Sequence, residues 1–217
     1  MDKSFRLAII DAGSNSIKLE IIEAKEGKYT LIDEYKVSAK IGNGCFRTGY
    51  IDGESKKNLF KAFNFIKKII DLNRTDTIKA VGTAVFRHAK NKEEIASEIK
   101  KNCGIDLDII SGEEEARLSF LAAAGNFELS ESNTLIADIG GGSTEITLAE
   151  NGKILKSYSM PLGCLRLKND FSKKTPPYNL KITEMSEFIK DTLKSLPNRS
   201  FEKAICMGGT VNNIAYV

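Results

Sequence analysis

The chain has 217 residues, 41% of them hydrophobic and 28% charged, with a formal net charge of +3. This balance suits one or two globular domains, and the small charge gives no argument for a nucleic-acid partner. No stretch approaches the roughly 18 apolar residues of a membrane span, and the apolar run after Met1 is too short for a signal peptide. We therefore expect a cytoplasmic protein without a membrane partner.

Apolar and alternating runs predict strands, while helical spacing of apolar residues predicts helices between them. The predicted strands are 5–11, 16–24, 28–40, 77–83, 106–110, 133–139, 143–150, 153–161 and 203–208. The predicted helices are 55–73, 91–104, 113–126 and 183–197, and "KKTPPYNLK" at 173–181 is predicted to be a solvated loop. Mixed strands and helices of these lengths predict an α/β fold.

The four cysteines are not arranged in CxxC pairs, and each lies in or beside apolar residues. This pattern favours buried free thiols over disulfides or a metal site. The four are Cys45, Cys103, Cys164 and Cys206.

Two parts of the chain are alike. "DAGSNSIKLEI" at 11–21 aligns without gaps on "DIGGGSTEITL" at 138–148, with Lys18 opposite Glu145. Further on, "IKAVGTA" is echoed by "KAICMGGT". The repeat predicts two related domains, 1–125 and 126–217. Because only "VNNIAYV" follows "MGGT", the second domain is expected to be incomplete.

The repeated segments share a strand that ends at Asp and then a turn rich in Gly and Ser. Such a turn exposes backbone N–H groups that can hold anionic oxygens. Two related units facing each other would place the turns on opposite sides of a phosphate-binding cleft. The aspartates, Asp11 and Asp138, could bind Mg²⁺ directly or through water, because Mg²⁺ prefers carboxylate, water and phosphate oxygens.

Six motifs occur in the order found in one enzyme family: "DAGSNSIKL", "AVGTAVFRHAKN", "IISGEEEAR", "DIGGGSTE", "MPLGCLRL" and "MGGT". In this set the chain resembles the Ppx/GppA phosphatases, the exopolyphosphatases and guanosine pentaphosphate phosphohydrolases. The resemblance implies duplicated actin-like (ribonuclease H-like) domains with the active site in the cleft. It also implies hydrolysis of the terminal phosphate of polyphosphate or pppGpp with Mg²⁺ or another divalent cation.

The segment "SGEEEAR" bears most directly on mechanism. Ser111 and Glu114 fit a capping box, S-x-x-E, which gives Glu114 a structural role. Glu115 lies one residue further around the helix. By the resemblance, Glu115 is the catalytic base, and Glu145 is a second catalytic carboxylate that positions metal or water. All three glutamates of the segment also suit the positive end of a helix, which is the alternative interpretation.

The remaining assignments also follow the two turns and the family motifs. Arg87 is expected to contact phosphate or to tie its loop to its own domain, and Lys18 either neutralises phosphate or faces solvent. His88 is expected at the surface, Asn91 matches a family position, and 163–166 is expected to shape the cleft. The metal candidates are Asp11, Asp138 and Glu145. The phosphate-binding candidates are Ser14, Asn15, Ser16, Lys18, Arg87, Gly140, Gly141, Gly142 and Ser143.

Two other functions fit the same sequence. One is an ATP-dependent small-molecule kinase or ATPase of the same superfamily. The other is a catalytically impaired module that binds polyphosphate or a nucleotide. Because uncovered strands readily pair with another chain, a homodimer is a further expectation.

Overall fold

A computed structural model describes residues 4–172 and 181–215 of the chain. The predicted loop at 173–181 therefore lies outside the described residues, apart from Lys181. Contacts divide the chain into two compact units between Ile110 and Ser111. The repeat placed its boundary later, at residue 125, and that boundary of the duplication remains a prediction.

The first unit contains a five-stranded sheet in the order β3-β2-β1-β4-β5. The first three strands pair antiparallel, and β4 and β5 run parallel to their inner neighbours. The strands are β1 (Phe5–Ala12), β2 (Ser16–Lys25), β3 (Lys28–Ser38), β4 (Thr77–Gly82) and β5 (Leu107–Ile109). The helices are α1 (Gly42–Thr48), α2 (Gly53–Leu72), α3 (Ala84–His88) and α4 (Lys92–Cys103).

Local sequence explains where the long helices of the first unit begin and end. Asp52 caps α2 by accepting a hydrogen bond from the Ser55 N–H at 2.8 Å. Gly104 ends α4 in the left-handed conformation, as expected for glycine after a helix. Apolar side chains of both helices cover one face of the sheet in a continuous core that includes Ile10, Leu19, Phe63, Ile95 and Ile99.

The second unit contains a four-stranded sheet in the order β8-β7-β6-β9. Its strands are β6 (Asn133–Ile139), β7 (Thr144–Glu150), β8 (Lys153–Met160) and β9 (Lys203–Met207). Its helices are α5 (Gly112–Asn126), α6 (Cys164–Phe171), α7 (Ile182–Leu193) and α8 (Gly209–Ala215). One small core joins α5 to the sheet through residues such as Phe120 and Ile136, and another gathers around Ile146 and Leu148. β7 is therefore buried from Thr144 to Ala149.

The sequence repeat is also a structural repeat. Four strands occur in the same order and direction in both sheets, with β9 parallel to β6 as β4 is to β1. A bulge interrupts the pairing between Ile21 and Ile22, and another lies at the matching place, between Leu148 and Ala149. Among the described residues the second sheet has no strand equivalent to β5. The predicted α/β duplication with a smaller second copy is confirmed.

Some sequence expectations differ from the structure. Cys45 and Cys103 are buried free thiols as predicted, but Cys164 and Cys206 are exposed, because α6 and β9 contribute little to the cores. The short helices α1, α3 and α6 were not predicted, since segments this short show no clear helical period. None of the described helices combines the length and hydropathy needed to cross a membrane.

Candidate functional site

The two Gly/Ser turns are closed by the same backbone hydrogen bond. The Gly13 N–H donates to the Ser16 carbonyl at 3.1 Å, and the Gly140 N–H donates to the Ser143 carbonyl at 3.0 Å. Across residues 4–172 and 181–215, the structure records no acceptor for the next two N–H groups of either turn. These are the N–H groups of Ser14, Asn15, Gly141 and Gly142. Successive unpaired N–H groups in a turn form an anion-binding concavity.

In the first unit, N–H groups of the segment leading into α1 donate to the carbonyl groups of the turn. The Gly42 N–H donates to the Ser14 carbonyl at 2.8 Å. The N–H groups of Ala39 and Lys40 donate to the Asn15 carbonyl at 3.0 and 2.8 Å. Because its carbonyls are occupied in this way, the turn is fixed with its N–H groups directed elsewhere.

In the second unit, the start of α6 does the same. The Cys164 N–H donates to the Gly140 carbonyl at 3.1 Å, and the N–H groups of Leu165 and Arg166 donate to the Gly141 carbonyl at 2.9 and 3.0 Å. The predicted role of 163–166 in shaping a cleft remains a prediction, but the segment does support the glycine turn. The sequences "GCFR" at 44–47 and "GCLR" at 163–166 also match, but the donors to the first turn lie just before "GCFR", at 39, 40 and 42.

Gly163 marks a close approach of two backbones. A Cβ at this position would lie 2.3 Å from the carbonyl carbon of Gly142 and 2.5 Å from that of Gly141. No side chain fits there without moving the turn. Glycine at 163 is thus required by space rather than by conformation, since its φ is −77°.

Serine side chains near the turns are mostly buried. Ser14 is 4% exposed and Ser143 6% exposed. The Ser14 Oγ is buried without a hydrogen-bond partner among the described residues. A buried hydroxyl without a partner is costly, so it points to a ligand that would accept or donate there. Asn15 is exposed and Ser16 half-buried.

Beside the second turn, three polar side chains form a row across the strands. Asp138 on β6 lies directly opposite Glu145 on β7, and Glu145 lies opposite Ser159 on β8. Glu145 is only 2% exposed, and the Ser159 hydroxyl donates to its Oε1 at 2.7 Å. The Ser119 hydroxyl, from α5, donates to Asp138 Oδ2 at 2.8 Å. Such bonds to charged oxygens offset the cost of burying carboxylates. Neither serine was identified from the sequence.

The equivalent position in the first unit is charged differently. Asp11 on β1 lies opposite Lys18 on β2, and the Lys18 ammonium lies 3.8 Å from Asp11 Oδ2. Lys18 is exposed and Asp11 half-buried. The solvent-facing alternative for Lys18 thus matches its exposure, while its proximity to Asp11 adds an electrostatic partner that the sequence did not predict. The phosphate role of Lys18 and the metal role of Asp11 remain predictions.

The start of α5 separates the roles of its two central glutamates. The Ser111 hydroxyl accepts the Glu114 N–H at 3.1 Å, so this half of the predicted capping box is present. The Glu114 carboxylate does not complete the box among the described residues; it accepts two hydrogen bonds from Arg117, both at 2.8 Å. These bonds lower the pKa of Glu114.

Glu115 is half-buried and immediately precedes Ala116, whose carbonyl accepts a 3.4 Å bond from the Thr147 hydroxyl. Thr147 lies on the same face of β7 as Glu145. The second unit therefore brings Glu115 and the Asp138–Glu145 pair to one side of its sheet. The assignment of Glu115 as the base remains a prediction.

The motif around Arg87 holds its own unit together. The Arg87 guanidinium donates to the Ile110 carbonyl at 3.2 Å, which fits the loop-tying alternative. Asn91 exchanges two hydrogen bonds with the backbone of Ile51, each 3.1 Å. His88, predicted at the surface, is half-buried against the Phe46 ring at 5.5 Å. Asn91 and His88 therefore have structural contacts that the sequence did not predict.

No group of three or more His, Cys, Asp or Glu side chains converges as a metal site within the described residues. The carboxylate pair Asp138 and Glu145 nevertheless fits Mg²⁺, which commonly binds one or two carboxylates and completes its shell with water and substrate phosphate.

Solved structures support the fold. The exopolyphosphatase from Cytophaga hutchinsonii superposes with a TM-score of 0.89 at 25% identity, over 97% of this chain and 69% of that chain. The Ppx/GppA family member from Aquifex aeolicus gives a TM-score of 0.75 at 30% identity, over 98% of this chain and 69% of that chain. With the duplicated sheets, these neighbours confirm the actin-like α/β class predicted from the sequence.

Curated relatives match by sequence. Exopolyphosphatase 1 of Mycobacterium tuberculosis H37Rv is 28% identical over 185 residues, 85% of this chain and 54% of the relative. Guanosine-5'-triphosphate,3'-diphosphate pyrophosphatase of Pseudoalteromonas atlantica is 32% identical over 162 residues, 74% of this chain and 32% of the relative. The chain thus spans about half the length, or less, of these relatives. The family model described as "Ppx/GppA phosphatase family" matches residues 20–216, and the chain belongs to this family.

Proposed function

We propose that this chain, alone or as part of a longer protein, hydrolyses the terminal phosphate of inorganic polyphosphate or of pppGpp. The observation that carries the proposal is the pair of equivalent turns, each preceded by an Asp. Each turn has two successive N–H groups for which the described part of the chain offers no acceptor. The names of the relatives, exopolyphosphatase and guanosine pentaphosphate pyrophosphatase, support the substrate class.

Substrate binding is assigned to the turns and the basic groups near them. The N–H groups of 14–15 and 141–142 hold phosphate oxygens. The Ser14 hydroxyl, which has no hydrogen-bond partner within 4–172 and 181–215, supplies a further contact. Lys18 draws the anionic substrate toward the first turn. The remaining turn residues, Ser16, Gly140 and Ser143, maintain the turn geometry. Arg87, whose guanidinium donates to the Ile110 carbonyl, is a further phosphate candidate.

The chemistry is assigned to the second unit. Glu115 accepts the proton of the attacking water and orients that water in line with the leaving phosphate. Asp138 and Glu145 would hold Mg²⁺, which neutralises charge that develops on the phosphate oxygens. Asp11 is a further candidate ligand for this ion, and the Lys18 ammonium partly offsets its charge.

The test is phosphate release with Mg²⁺ from polyphosphate and, separately, from pppGpp. The proposal expects free phosphate from at least one substrate without added nucleotide. Release of ADP from ATP, dependent on a small-molecule acceptor, would instead identify a kinase. Binding of polyphosphate without turnover would identify a binding module. A version extended to the length of the relatives, assayed in parallel, shows whether the described units suffice.

Location and assembly belong to the same proposal. Free thiols at all four cysteines suit the reducing cytoplasm. A homodimer is to be tested by light scattering, since β9 has no outer neighbour among the described strands.

A further inference from the structure

Helix α5 presents two polar residues on one side. Glu115 and Ser119 are four residues apart, so their side chains lie on the same face of the helix. Ser119 is 8% exposed, and its hydroxyl donates to Asp138 Oδ2 at 2.8 Å. Asp138 comes directly before the last residue of β6 and the glycine turn. The helix that carries Glu115 is thus attached to the sheet at the carboxylate beside the turn.

We propose that Ser119 is a positioning residue for this site. Its hydrogen bond fixes the orientation of the Asp138 carboxylate and, through α5, the place of Glu115 relative to Asp138 and Glu145. The proposal rests on the proposed function, because it assigns Ser119 a part in phosphate release. A hydrogen bond from a hydroxyl to a charged oxygen is stronger than one between neutral groups. It can therefore hold an otherwise rotatable carboxylate in one orientation.

A second bond on the same interface provides a comparison for the mobility of the Asp138 carboxylate. The Thr147 hydroxyl, on β7, lies 3.4 Å from the Ala116 carbonyl of α5 and 3.1 Å from the Ser157 hydroxyl. It joins α5 to the sheet as Ser119 does, but none of these partners is a carboxylate. Loss of the Thr147 hydroxyl therefore tests helix attachment without touching Asp138.

The experiment compares Ser119→Ala, Ser119→Thr and Thr147→Val in the phosphate-release assay. Ser119→Ala should lower kcat roughly tenfold to a hundredfold, the cost of small misplacements in active sites, while KM for polyphosphate stays nearly constant. Ser119→Thr keeps the hydroxyl and should retain most of kcat. Thr147→Val removes a bond beside Glu115, so a loss of kcat in this variant reports the placement of the helix rather than the Asp138 carboxylate. A loss in Ser119→Thr equal to that in Ser119→Ala, or an unchanged kcat in Ser119→Ala, would overturn the proposal.

A second measurement separates this proposal from the proposed function. NMR relaxation of the side-chain carboxyl carbons reports how freely the Asp138 carboxylate moves, whether or not the chain is active. Ser119→Ala should increase that mobility and Thr147→Val should not. If the unaltered chain releases no phosphate, the proposed function fails, and the relaxation data still decide the role of Ser119. An Asp138 carboxylate as rigid in Ser119→Ala as in the unaltered chain overturns the inference.

Discussion

Each unit places a row of three facing side chains beside its Gly/Ser turn, and the two rows carry opposite net charge. Across β1, β2 and β3 the first row is Asp11, Lys18 and Lys36. Across β6, β7 and β8 the second row is Asp138, Glu145 and Ser159. The strand pairing is shared, and the two rows differ in their side chains and in what packs against them.

The difference teaches how one duplicated frame can serve two purposes. In the first row two lysines outweigh one aspartate, which favours an anion near the turn. In the second row the partners of the acids include neutral hydroxyls, from Ser119 and Ser159, which steady the carboxylates without cancelling their charge. A negative row suits a divalent cation and a proton-accepting group. The proposed function uses the first row to attract phosphate and the second to act on it.

Removal of negative charge from the second unit should have the largest effect. Glu115→Gln keeps the shape of the side chain but removes the proposed base. We expect turnover in the phosphate-release assay to fall by about 10²–10⁴-fold, with substrate binding and folding nearly unchanged. Glu114→Gln is the control and should do far less, because that carboxylate is bonded to Arg117. Loss of activity with the Glu114 change and retention with the Glu115 change would mean that the wrong carboxylate was chosen.

The support of the second turn can be broken by one added methyl group. In Gly163→Ala the new Cβ would meet the backbone of Gly141 and Gly142, which cannot move without displacing the turn. We expect the free energy of unfolding to fall by about 1–3 kcal/mol, as for other overpacked sites. Urea denaturation measures this.

Gly125→Ala is the matched control for that change. It lies in α5 of the same unit, where a Cβ would have nothing within 4 Å. Because alanine is a better helix former than glycine, this variant should be as stable as the unaltered chain or more stable. A Gly163→Ala variant of unchanged stability would show that the two backbones can separate freely.

The charge difference between the two rows can be reduced by replacing Lys18 with glutamate, the residue that the second row has at the equivalent position, Glu145. Lys18→Glu reverses one charge close to the proposed phosphate site. A unit charge about 4 Å from an anion in water is worth about 1 kcal/mol, so screened reversal should raise KM for polyphosphate roughly tenfold. Lys18→Ala should have a smaller effect, and both should shrink at high salt. A KM independent of residue 18 and of salt would separate Lys18 from substrate binding.

The prediction with the smallest expected effect concerns how quickly the cysteine thiols of the two units react. Burial raises the pKa of Cys45 to about 11, and burial also raises the pKa of Cys103. At about pH 8 both should react slowly with a thiol reagent in the native protein. Cys164 and Cys206 are exposed and should react quickly. Mass spectrometry after brief labelling identifies the modified residues, and rapid labelling of Cys45 would contradict its burial.

The sequence was sufficient for the strands, because alternation and the internal repeat act locally and reinforce each other. It also located the turn between β6 and β7 and the cap of α5. It did not predict that Glu145 is buried. Alternating residues imply one open face, whereas β7 is covered on both faces by groups that are distant in sequence. The role of Ser119 was not predicted for a similar reason, because its contact with Asp138 depends on how α5 packs on the sheet.

The bulge between Leu148 and Ala149 determines which residue of β8 lies opposite Glu145. Outward from the turn at 151–152, Glu150 pairs with Lys153 and Ala149 with Ile154, but Leu148 then pairs with Lys156. If the pairing did not pass over Leu155, Tyr158 rather than Ser159 would lie opposite Glu145. Deletion of Leu155 alone would thus exchange a small hydroxyl for a phenol ring beside a buried acid. One residue of strand length therefore determines which side chain of β8 lies opposite Glu145.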